Sequence, residues 1–127
     1  MHVTRRFTVT WTAIVLAGTA LSVTGSLAHH GWEWAEGENF ELTGVITAAQ
    51  LGNPHGVLTV SANNEKWTVE VGQPWRNERA GLKDAMLAKG VEATFQGHRA
   101  KDKNKRVMKA ERIIIKGKTY NLYPDRN

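Results

Sequence analysis

Two adjacent histidines, His29 and His30, follow Ser26-Leu27-Ala28, where small residues stand three and one before a signal-peptidase cut after Ala28. That cut makes His29 the first residue, so a free α-amine and two imidazoles come together on consecutive positions. An N-terminal histidine offers its amine and its ring to one ion, and an imidazole from elsewhere completes a nitrogen-rich, planar donor set that suits Cu(II). His55 is the candidate for that partner: it follows Asn53-Pro54, whose proline fixes the backbone of a turn, so its ring leaves the start of a strand at a defined place. The expected metal ligands are therefore His29, His30 and His55, with copper as the ion. Two plainer roles stand beside these: a frayed terminal histidine pair binds metal adventitiously, and a histidine such as His55 often bonds a backbone carbonyl.

Other groups offer less. His98 shares strand parity with Glu92, Thr94 and Gln96, which places it toward solvent as a weaker ligand candidate. Trp32 and Trp34, with Glu33 and Glu36, either shield a site at the N-terminus or staple the terminal segment to the core. Trp75 to Arg79 combines a rigid aromatic with two guanidinium groups, suited to an anionic or planar ligand; charge pairs at a helix start are its structural alternative. Arg99, Lys101, Lys103, Lys105, Arg106 and Lys109 form a basic run, read here as a solvated hairpin tip, with no nucleic-acid partner expected.

Several chemistries are excluded or unsupported. The chain has no cysteine, so disulfides, thiolate metal sites and cysteine nucleophiles are absent. No serine has a His and an acid at a recognisable spacing, and no glycine-rich phosphate loop occurs. No catalytic residue is assigned, and a non-catalytic role is the expectation.

The first 28 residues read as a cleavable export signal. Met1 to Thr10 carries Arg5 and Arg6 without an acid, and Trp11 to Val23 is mostly apolar but interrupted by Thr12, Gly18, Thr19 and Ser22. This stretch is shorter than the ~20 residues of a membrane span, so no span is expected after cleavage. Thr4-Arg5-Arg6-Phe7 loosely resembles a twin-arginine signal, but the residues that follow depart from it, and the general secretory route is expected. Residues 29–127 then form one periplasmic or secreted domain, long enough for a single core. Loss of Arg5 and Arg6 brings the formal charge of +5 to about +3, weak evidence for any partner.

The elements that would position these groups are mostly strands. Phe40, Leu42, Ile46 and Ala48 have strand period, with Gly44 marking a bulge or bend. His55 to Ser61 and Lys66 to Val71 follow, joined by the turn Asn63-Asn64, and Trp67, Val69 and Val71 share a face. Leu82, Ala85, Met86 and Lys89 have helical spacing, which predicts one helix over Trp75 to Lys89 capped by Gly90. Val91, Ala93, Phe95 and Gly97 alternate again, Val107 to Lys116 forms a long strand, and Lys118 to Leu122 a short last one. The expected fold is mainly β with one helix: a small OB-like barrel of five or six strands, the helix lying between strands three and four.

Ala28-His29-His30-Gly31, Leu42-Thr43-Gly44-Val45, Asn53-Pro54-His55, Trp67-Thr68-Val69-Glu70, Val71-Gly72-Gln73-Pro74 and Arg79-Ala80-Gly81-Leu82 together resemble the domain of unknown function 6152 family of small exported bacterial proteins. The resemblance runs from the cleavage site to about Ile115. It implies an exported single domain with a His pair at the mature N-terminus and a His after Asn-Pro, and it supplies no substrate. Gly97-His98-Arg99 and the lysine run before Val107 depart from the family pattern. The proposed ligand set also looks like the histidine brace of copper monooxygenases and some periplasmic copper carriers, in ligands rather than in fold. Two expectations follow: a periplasmic protein that binds a metal, copper, through its mature N-terminal histidines, or a non-catalytic cell-envelope module that holds a small ligand or a protein partner.

Overall fold

The computed structural model describes residues 31–35 and 37–126. His29 and His30 therefore lie outside the described residues.

Strand β1 (Phe40–Gln50) buries Leu42, Gly44 and Ile46 and exposes the residues between them, the alternation its sequence predicts. It pairs antiparallel with β2 (Val57–Ala62), with a register shift between Ile46 and Ala48. A bulge flips which face follows it, and Ala48, expected inside, is exposed. Gly44 is required by close approach, because a Cβ there would meet the Ser61 carbonyl and the Val60 side chain. The β2–β3 connection is the predicted tight turn: Asn63 and Asn64 have φ of 51° and 63°, the pair of left-handed residues that matches strand twist in a two-residue hairpin.

After β3 (Glu65–Glu70) the chain departs from expectation. In place of one helix over Trp75 to Lys89 there is a single short helix, α1 (Pro74–Arg79), and a separate 3-10 turn, Asp84–Leu87. Gly81 takes φ +81° and Lys83 is extended, so the helix stops after six residues. Leu82 and Leu87 are buried in the barrel core and Met86 packs against it. Apolar residues three to five apart fill a core from a bent connection as readily as from a helix, which is why the spacing misleads. Gly90, rather than capping a helix, donates its N–H to the Ile46 carbonyl at 2.7 Å.

Strands β4 (Glu92–Arg99), β5 (Val107–Ile115) and β6 (Lys118–Asn121) complete the sheet. The strand order is β3-β2-β1-β4-β5-β6, and a parallel pairing of β3 with β5 closes the first five strands into a barrel. This is the OB-like arrangement, with β6 as an added edge strand. Its interior is filled by Ile46, Leu58, Val60, Val69, Phe95 and Met108, none of which exposes surface; burying each such side chain contributes about 1.5–3 kcal/mol.

Between Gln96 and Gly97 the β4–β5 register slips by one, which leaves Glu111 as the extra residue on β5. Gly97 sits so close to the β5 backbone that a Cβ would collide with the Lys109 carbonyl and Ala110 Cα. Among the described residues no helix is long and apolar enough to cross a membrane.

Candidate functional site

His55 ends the loop between β1 and β2, one residue before an anchored backbone. Gly56 donates to the Gly72 carbonyl at 3.1 Å and accepts from Val71 N–H at 2.9 Å, which fixes the loop against the end of β3. Val57 then stands opposite Glu70, and the His55 ring reaches that carboxylate, with Nε2 3.2 Å from Glu70 Oε1. Glu70 is buried, and its Oε2 has no hydrogen-bond partner among the described residues. Since Nε2 faces the carboxylate, Nδ1 is the nitrogen that would coordinate a metal; a carboxylate on the opposite ring nitrogen is the usual way metal-binding histidines are oriented.

Barrel closure supplies the next group. In the parallel β3–β5 seam Glu70 is the register partner of Lys109. Lys109 is only 4% exposed, which corrects its assignment to the solvated basic run; Lys101, Lys103 and Lys105 do lie exposed on the hairpin. Burial holds the Lys109 ammonium below its ordinary pKa; Glu70 pulls it back up, while Arg126 and Arg76 push it further down. Its Nζ donates to the Gly31 carbonyl at 3.2 Å and lies 4.7 Å from the Trp32 ring centre.

Around these groups lies a cavity of about 220 Å³ lined by Trp32, Pro54, His55, Gln73, Arg76, Lys109 and Tyr123. Arg76 comes from α1 and packs its guanidinium against both Trp75 and Tyr123, 4.5 and 4.3 Å from the ring centres. Burial pushes the Tyr123 hydroxyl above its ordinary pKa, opposed by Arg76. Trp32 meets Tyr123 edge-on at 5.2 Å and the ring of His98 on β4 at 5.6 Å, so Trp32 staples the N-terminal segment to the C-terminal tail and the barrel.

His98 is buried, 6% exposed, rather than solvent-facing. It lies on the strand face its parity predicts, but Trp32 covers that face, meeting the His98 ring edge-on at 5.6 Å, and Ala35 bridges to Ala100. Nδ1 donates to the Glu38 carbonyl at 2.7 Å, and Nε2 lies 2.8 Å from Glu111 Oε1. Strand alternation gives the face of a residue, not what folds over it.

Among the described residues no three His, Asp or Glu side chains converge on a metal position. The structure thus places His55 at a cavity wall and leaves its pairing with His29 and His30 outside the described residues. Glu70, Lys109 and Tyr123 escape sequence reasoning as site residues because a strand seam and the C-terminal tail bring them together; the one local sign is a charged residue inside each of two strong strand patterns.

The profile of a family of unknown function, DUF6152, matches residues 16–109. The chain belongs to that family. The family expected from the sequence is thereby borne out, and the stretch that matches DUF6152 includes His55, Glu70 and Lys109. No curated protein matches this chain. Among solved structures, one of the Stn1–Ten1 complex of S. pombe is similar at 16% identity and a TM-score of 0.48, over 61% of this chain and 57% of that one. A complex of TiaS with a tRNA and ATP is similar at 18% identity and a TM-score of 0.47, over 61% of this chain and 18% of that one. This DUF6152 protein thus spans less than two thirds of the chains it resembles, and the barrel itself rests on strand order and closure.

Proposed function

We propose that this DUF6152 protein is exported, loses residues 1–28, and binds copper through the His29 amine and ring, His55 and His30 in the periplasm. The observation that carries the reading is the bond from Lys109 Nζ to the Gly31 carbonyl. Lys109 and His55 line one cavity, so Gly31, which follows the proposed ligand pair in the sequence, is bonded to a residue of that cavity's wall. The buried Glu70 carboxylate meets Nε2 of His55 and so orients the ring with Nδ1 turned away from it.

A second reading, a non-catalytic envelope module for a small ligand or a protein partner, is favoured by the cations Arg76 and Lys109 at the same cavity. The two separate on one experiment. Protein beginning at His29 is titrated with Cu(II) by calorimetry and electron paramagnetic resonance, beside a version with one extra N-terminal alanine and a His55→Ala variant. The metal reading expects one-to-one binding with a nitrogen-rich Cu(II) spectrum, lost in the extended protein and weakened in H55A. Weak binding, equal in all three, overturns it.

A further inference from the structure

The cavity beside His55 has a composition that a metal site does not explain. Two cationic side chains, Arg76 and Lys109, stand on its wall with two aromatic rings, Trp32 and Tyr123, and the ring of Pro54. Arg126 contributes a third positive charge close by, over the Trp32 ring at 3.9 Å from its centre, but it is engaged by Glu111 at 3.0 Å. Of the two carboxylates that act on Lys109, Glu70 and Glu33, the first is engaged by His55.

Arg76 is presented in a particular way. Its planar group packs against Trp75 and Tyr123, its Nη1 makes a long 3.4 Å bond to the Leu122 carbonyl, and its buried Nε has no hydrogen-bond partner among the described residues. A guanidinium held by aromatic rings keeps its N–H edge in a fixed plane, and that edge matches the two oxygens of a carboxylate. Lys109 reaches the same space from β5, nearly wholly buried. A bare inorganic anion would leave the aromatic walls unused; a flat organic body uses both parts, charge on the cations and apolar surface on the rings.

We propose that the cavity lined by Trp32, Pro54, His55, Arg76, Lys109 and Tyr123 binds a small planar organic carboxylate, its carboxylate on Arg76 and Lys109 and its body against Trp32 and Tyr123. This gives the envelope-module reading its ligand class and does not depend on the metal reading. Burial, Arg126 and Arg76 act against the Lys109 charge while Glu70 and Glu33 favour it, and an anion in the cavity would add to the favourable side.

The test uses the protein as exported with its own leader. Sodium benzoate is titrated by calorimetry in a chelator-containing buffer, with inorganic phosphate at matched ionic strength and with 1H–15N spectra of the Trp32 indole and the Gln73 side-chain amide. Saturable benzoate binding that moves both signals, weakened at least tenfold in Arg76→Gln and unchanged in Arg79→Gln, is the expected result. Lys109→Gln should weaken it similarly, and Arg76, being half-buried, carries the test if that variant folds poorly. Phosphate binding as tight as benzoate overturns the organic class, and no saturable binding of either overturns the pocket. Benzoate binding that requires added Cu(II) assigns the anion to the metal and also overturns it. A negative benzoate result beside intact copper binding leaves the metal reading standing.

Discussion

His98 Nε2 lies 2.8 Å from Glu111 Oε1, both side chains are buried, and Trp32 of the N-terminal segment meets the His98 ring edge-on. The carboxylate also meets Arg126 Nε at 3.0 Å and Arg112 Nη1 at 3.6 Å, and the other ring nitrogen of His98 holds the Glu38 carbonyl. One buried pair thus ties β4 and β5 to both terminal segments.

Breaking that pair exposes its weight. Glu111→Gln should lower unfolding stability by about 2–3 kcal/mol, because the buried carboxylate bonds both His98 and Arg126 and a neutral amide cannot serve both in the same way. Arg126→Gln should cost under about 1 kcal/mol, because the Arg126 side chain is 41% exposed and its attraction is screened. Urea unfolding of the two variants checks the order; equal losses would place the weight on Arg126 rather than on His98.

Gly97 tolerates no side chain. An added Cβ would collide with the backbone at Lys109 and Ala110, which cannot rotate away. Gly97→Ala should therefore destabilise by about 2–3 kcal/mol, the upper range for overpacking, and should broaden the Lys109 amide signal. Thermal melting and an amide spectrum read both.

The β2–β3 turn responds to Asn64. Its φ of 63° lies in the left-handed region, which costs a β-branched residue about 1–2 kcal/mol. Asn64→Val should lose that amount, while Asn64→Gly should keep or slightly raise stability, as Asn-Gly is the favoured pair for this turn. Chemical denaturation of the two variants measures the difference, and an unaffected Asn64→Val would contradict the turn geometry.

Lys109 and Tyr123 give stability opposite slopes in alkali. The Lys109 pKa is lowered, so between its folded value and the ordinary lysine value the unfolded chain binds more protons, and stability rises with pH. The Tyr123 pKa is raised, so above the ordinary tyrosine value of about 10 the folded chain keeps a proton the unfolded chain has lost, and stability falls. Relative to Lys109→Met, the unsubstituted protein should gain stability as pH climbs toward about 10; relative to Tyr123→Phe it should lose stability above that. Unfolding free energies across pH 8–11 test both signs.

Much of the barrel is written locally. Alternation at Leu42 and Ile46, at Trp67 and Val69, and at Ala93 and Phe95 names the inward face of three strands, since a strand's side chains alternate whatever it pairs with. Asn63-Asn64 names a hairpin by backbone preference alone. The helix is less legible: Gly81 divides it, and apolar spacing does not distinguish helix from a folded-back connection.

By itself the sequence determined the strands, most of their inward faces, one tight turn, the family and His55 as the residue to examine, because each depends on short-range backbone preference or a local motif. Only the tertiary structure decided that Glu70 and Lys109 adjoin across the β3–β5 seam, that Tyr123 from the C-terminal tail and Arg76 from α1 meet Trp32 at one cavity, and that His98 is covered. Those contacts join residues up to 91 positions apart, from Trp32 to Tyr123; they arise from barrel closure and the folding-over of both terminal segments, which no local pattern encodes.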